Sequence, residues 1–84
     1  MAHIIVERTF EAPLTESERR DVEARMGPCL EIYGVRWIRS FWSVDRQRMI
    51  CEYEAPDMAS VRNVQQESQA PFDRMWTGDV LGAP

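Results

Sequence analysis

The sequence predicts an α+β domain in the order βαββαβ, with two helices on one face of an antiparallel four-stranded sheet. Three observations carry that expectation. Two apolar runs, Val35–Val44 and Arg48–Ala55, are separated by a polar turn and read as a hairpin. A helix with a clear start signal lies before the hairpin and a second lies after it. One further strand-like run stands at each end of the chain. At 84 residues the chain is one domain over 1–84, with 82–84 expected as a frayed tail.

The first strand is His3–Phe10, with Ile4 and Val6 on one side and His3, Ile5, Glu7 and Thr9 on the other. Pro13 cannot donate to a ladder and lies beyond its end. Thr15-Glu-Ser-Glu18 fits a capping box, in which threonine and glutamate satisfy each other's backbone amides. Val22, Met26, Cys29, Leu30 and Tyr33 then follow on one helical stripe. Gly27-Pro28 interrupts it, so a kink or two helical pieces are expected, because an interior proline removes a hydrogen bond and clashes with the preceding turn. Gly34 is the stop.

In the hairpin, strict alternation sets Trp37 and Phe41 on one face and Ile38, Trp42 and Val44 on the other. Met49, Cys51, Tyr53 and Ala55 share a face of the next strand, backed by Ile50, Glu52 and Glu54. The turn falls within residues 43–47, where Asp45 suits the bend. Asp57 caps the second helix, whose buried side is Met58, Val61 and Val64. That side is thin, since Gln65 and Ser68 stand where leucine or alanine is expected. Ala70-Pro71 ends the helix, and Asp73–Leu81 supplies the fourth strand with Met75 and Trp76. This order is the split-βαβ, or ferredoxin-like, arrangement. Helices cover one sheet face only, and the other is also greasy, so a second copy is the expected cover.

Composition narrows the partners. A net charge of −4 argues against nucleic acid or an anionic membrane as partner. No apolar run approaches the roughly 20 residues that span a bilayer. Neither a leader pattern nor a disulfide framework is visible, which suits a cytoplasmic protein with Cys29 and Cys51 as buried thiols. The third strand lacks the basic-Gly-aromatic run of RNA-recognition modules, and no Walker, GxGxxG or Gly-x-Ser-x-Gly loop is present, so no nucleotide cofactor is expected.

Four segments resemble a small bacterial family described as nickel-binding: Ile5-Val-Glu-Arg8; Gly34-Val-Arg-Trp-Ile-Arg-Ser-Phe41; Asp45 ahead of Cys51-Glu-Tyr-Glu-Ala-Pro-Asp57; and Val61-Arg62 leading to Pro71-Phe-Asp73. The resemblance implies a ferredoxin-like, dimeric α+β barrel and a divalent metal such as nickel. The family's second helix carries a pattern like His-x-x-x-Gly-x-Pro. Here Gln65 and Gln69 stand at the first two of those positions, and an amide is a poorer nickel ligand than imidazole.

For chemistry, His3, Glu7, Glu52 and Glu54 are expected to converge if the first and third strands are neighbours. Such a group would hold a divalent cation, with His3 the metal candidate, or would use Glu7, Glu52 or Glu54 as a general acid/base. The plainer alternative is cross-strand pairing with Arg8, Arg36, Arg39 or Arg48. Trp37, Arg39, Phe41, Tyr53 and Trp76 are the candidate ligand-binding residues, against a plain packing role for the aromatics. The first expectation is a homodimeric protein binding a metal or compact molecule between sheet and helices. The second is a cofactor-free isomerase or cyclase with a glutamate as proton carrier, and the third an accessory subunit whose sheet face meets another protein.

Overall fold

The computed structural model describes residues 1–83, so the Pro84 end of the expected tail lies outside the described residues. The elements are β1 (Ala2–Thr9), α1 (Glu16–Tyr33), β2 (Arg36–Trp42), β3 (Arg48–Ala55), α2 (Met58–Glu67) and β4 (Arg74–Thr77). The strands form one antiparallel sheet in the order β2-β3-β1-β4. This is the βαββαβ ferredoxin-like arrangement.

The termini of the elements follow local chemistry. The Thr15 hydroxyl accepts from the Glu18 amide at 3.1 Å and the Glu18 carboxylate accepts from the Thr15 amide at 3.0 Å, completing the capping box. Gly34, at φ 63°, closes α1 in the left-handed region that glycine enters without strain. Asp57 caps α2 by accepting from the Ser60 amide at 2.8 Å. In the hairpin turn Asp45 accepts from the Ser43 hydroxyl at 2.6 Å and from the Gln47 amide at 3.0 Å.

Three expectations are corrected. Of the kink or two pieces expected at Gly27-Pro28, the two pieces are overturned: helix α1 is one continuous element with Pro28 inside it. The carbonyl that Pro28 cannot serve belongs to Ala24, which is exposed along with Gly27 and Pro28. Residues on both sides of the proline, Val22 and Met26 before it, Cys29 and Leu30 after it, pack on one core and carry the helix through. Strand β4 is only Arg74–Thr77. It stops at Gly78, whose amide donates to the His3 carbonyl at 3.0 Å and which lies so close under Trp76 that a Cβ would come within 2.8 Å of the indole ring.

The third correction lies in β2. Trp37 is opposite Tyr53 and Arg39 opposite Glu52, so Ile38 is an extra residue and the strand carries a bulge. The extra residue reverses the alternation beyond it. Trp37, Ser40 and Trp42 therefore face the helices, while Arg39 and Phe41 face away.

The core lies between sheet and helices. Ile4 and Val6 of β1, Cys51, Tyr53 and Ala55 of β3, and Val61 and Val64 of α2 are its centre. Helix α1 leans chiefly on α2, and its backbone comes near the sheet at β2. The Arg25 Nε donates to the Ser68 carbonyl at 2.8 Å, setting a cation at the C-terminal end of α2 where it opposes the helix dipole.

Candidate functional site

Because α1 leans away from the sheet, a cavity of about 370 Å³ opens beneath it. Its apolar wall includes Val22 and Met26 of α1, Trp37 and Trp42 of β2, and Met49 of β3. Such a volume lies in the range of small-molecule sites, roughly 300–1,000 Å³. At its border Arg19 pairs with Glu16 at 2.9 Å and with Glu23, and the Arg46 guanidinium stacks 3.9 Å from the centre of the Trp42 ring.

Arg8 lines the same cavity and is only 7% exposed. Strand parity explains why: Arg8 continues the inward face of Ile4 and Val6. It therefore cannot serve as a partner to the glutamates, which stand on the opposite face. Its Nη1 donates to the Gln65 Oε1 at 2.9 Å and to the Pro71 carbonyl at 3.3 Å. Its Nη2 donates to the Tyr53 hydroxyl at 3.2 Å and to the Cys51 Sγ at 3.4 Å. Tyr53 in turn donates to the Met26 Sδ at 3.4 Å, and burial pushes its phenol pKa up to about 12. Gln65 is 1% exposed, and its amide orientation follows from chemistry, since only the oxygen can face a guanidinium. Thus Gln65 and Ser68, the two residues that thin the apolar stripe of α2, are both buried. Gln65 serves Arg8, and the Ser68 hydroxyl donates to the Val64 carbonyl at 2.6 Å.

The opposite sheet face is open. His3, Ile5 and Glu7 of β1 align with Glu54, Glu52 and Ile50 of β3. The His3 Nε2 lies 3.2 Å from the Glu52 Oε2. Glu52 Oε1 also meets Arg39 Nε at 3.3 Å. Glu54 pairs with Arg36 at 3.3 Å. Glu7 is held apart from both, accepting from Arg74 at 2.9 Å and from the Trp76 indole at 2.7 Å. Those two hydrogen bonds, Trp76 first, hold the Glu7 carboxyl below its ordinary range. The four residues therefore do not form one cluster: His3 and Glu52 meet, while Glu7 and Glu54 are engaged separately. Among the described residues no group of three or more His, Cys, Asp or Glu side chains is arranged to hold a metal ion.

The aromatic set is likewise divided between the faces. Trp37 and Tyr53 belong to the cavity; Arg39, Phe41 and Trp76 belong to the open face. Phe41 is 59% and Trp76 45% exposed there, with Ile50 beside Phe41 on the neighbouring strand. Trp42 and the methionines, Met26 among them, are expected from the sequence as pocket-lining side chains, whereas Arg8 and Gln65 are not among the candidate binding residues. The parity of Arg8 with Ile4 and Val6 was the available signal for the first of them.

A family model described as nickel responsive protein SCO4226-like matches residues 5–77. No curated protein matches the chain. The crystal structure of SCO4226 from Streptomyces coelicolor A3(2) is similar with a TM-score of 0.84, covering 96% of this chain and 100% of that one at 12% identity. At that identity the likeness speaks for the fold alone. No helix among the described residues is long and apolar enough to cross a membrane.

Proposed function

The chain belongs to the nickel-responsive SCO4226-like family, and from that premise we propose a small homodimeric ligand-binding protein whose cavity beneath α1 takes a compact, largely apolar molecule. The observation that carries the reading is the cavity of about 370 Å³ lined by Trp37, Trp42, Val22, Met26 and Met49 around a buried arginine. Such a site offers apolar area for affinity and a few polar groups for orientation. Support for the dimer comes from Phe41, Ile50 and Trp76, an exposed apolar set on the sheet face that no helix covers. Two free cysteines, both buried, suit a reducing cytoplasm. The test is a methyl NMR titration of the methionines with indole, alongside light scattering of the wild type and Phe41→Arg. Shifts confined to Met26 and Met49, and a dimer that Phe41→Arg dissociates, are expected. Absence of any methyl shift at millimolar indole defeats the cavity reading, and a monomeric wild type defeats the dimer.

A second reading follows from the family description and the His3–Glu52 pair. One copy does not fit a resident nickel ion, because His3 and Glu52 supply only two donors and Arg39 stands against the same carboxylate. Two copies meeting across their open faces would present two such pairs. Nickel titration by calorimetry, on protein free of any histidine tag, should then give uptake that His3→Ala removes. A cofactor-free enzyme with Glu7 as proton carrier is the weaker alternative, because a carboxyl held below its ordinary range is a poorer base and both its oxygens are engaged by Arg74 and Trp76.

A further inference from the structure

We propose that the molecule held beneath α1 carries a single anionic head group of the carboxylate class, bound against Arg8; this rests on the ligand-binding reading above. All four groups that accept from Arg8 are uncharged types: an amide oxygen, a backbone carbonyl, a phenol and a cysteine sulfur. Tyr53 remains a neutral phenol across the neutral range. None of the ion pairs among the described residues includes Arg8. Guanidinium does not lose its proton inside a protein, so the charge persists and is buried without a carboxylate partner.

The two carboxylates that line the cavity, Glu16 and Glu23, are both taken by Arg19. Arg8, Arg19 and Arg46 against Glu16 and Glu23 leave the lining with one positive charge in a chain whose net charge is −4. A second observation points the same way. Trp42 lines the cavity, and its buried indole nitrogen has no acceptor among the described residues. A guanidinium without a counter-charge and an indole N–H without an acceptor both call for a ligand rich in acceptor oxygens. A net lining charge of one, with the charged groups set among Val22, Met26, Trp37, Trp42 and Met49, suits a monoanion with a hydrophobic body rather than a multiply charged phosphate ester.

The experiment compares 4-phenylbutyrate with 4-phenylbutan-1-ol, which share a body and differ in charge. Calorimetry on the wild type should find the carboxylate bound about tenfold more tightly or better, the scale of one charge-assisted contact. Arg8→Gln should abolish that preference, so that acid and alcohol bind with equal affinity. Should Arg8→Gln fail to fold, the Arg8 side-chain NMR resonance of the wild type takes its place, shifting with the acid and not with the alcohol. Equal binding of the two probes, or an unmoved Arg8 resonance, overturns the anionic head group but leaves the ligand-binding reading standing. Failure of both probes to bind overturns the two together.

Discussion

Arg8 on β1 and Gln65 on α2 are joined by a 2.9 Å hydrogen bond with both side chains buried, across 57 residues of sequence. Each has its place because of the other: a guanidinium under a helix needs an acceptor, and an amide in an apolar stripe needs a donor. Removing one partner strands the other. Gln65→Leu and Arg8→Met should each cost about 2 kcal/mol or more, while the double variant should cost at least about 1 kcal/mol less than their sum. Urea unfolding of the four proteins measures this coupling, and additive losses would show that the contact holds no energy of its own.

Two backbone positions should respond in opposite ways. Gly27 lies in an exposed turn of α1, and a Cβ there meets nothing within 4 Å. Gly27→Ala should stabilise the fold by about 0.5–1 kcal/mol through helix propensity. Gln69 has φ 56°, in the left-handed region that side chains resist, at the position where the resembled family carries glycine. Gln69→Gly should stabilise by about 1 kcal/mol. A fall in the denaturation midpoint for either variant contradicts its argument.

Tyr53 sets an alkaline limit. Burial raises its folded pKa from 10.0 to about 12, so the folded state holds the proton more tightly than the unfolded chain does. Its stability contribution is complete below about pH 10 and is lost as pH rises through about 12. Denaturant unfolding at stepped pH should show this decline in the wild type and a flatter profile in Tyr53→Phe. The phenylalanine variant should also be weaker at neutral pH, since Arg8 loses an acceptor.

Glu7 behaves in the opposite sense. The Trp76 indole and Arg74 lower its folded pKa below 4.5, so the unfolded chain takes up the proton first. The contribution is complete above about pH 4.5 and disappears as pH falls through the lowered value. Carboxyl-carbon NMR should place the Glu7 midpoint below 4.5, and Trp76→Phe should bring it back up. An unchanged midpoint in Trp76→Phe would refute the role given to the indole.

Local chemistry made much of this fold legible. The Thr15–Glu18 box, Gly34 and Asp57 act within a few residues of themselves, and the two-residue period of β1 and β3 sorted Ile4 from Glu7 and Tyr53 from Glu52 without reference to any neighbour. Tertiary structure decided the rest. The bulge at Ile38 exists only in the register of β2 against β3, and it alone sends Trp37 inward and Phe41 outward. Arg8 presents the same chemistry wherever it stands, but its acceptors come from Cys51, Tyr53, Gln65 and Pro71, between 43 and 63 residues away. The covalent chain determined which groups each strand offers to each side. Which of them meet inside was decided by packing, because a buried charge is tolerable only where distant segments bring their dipoles to it.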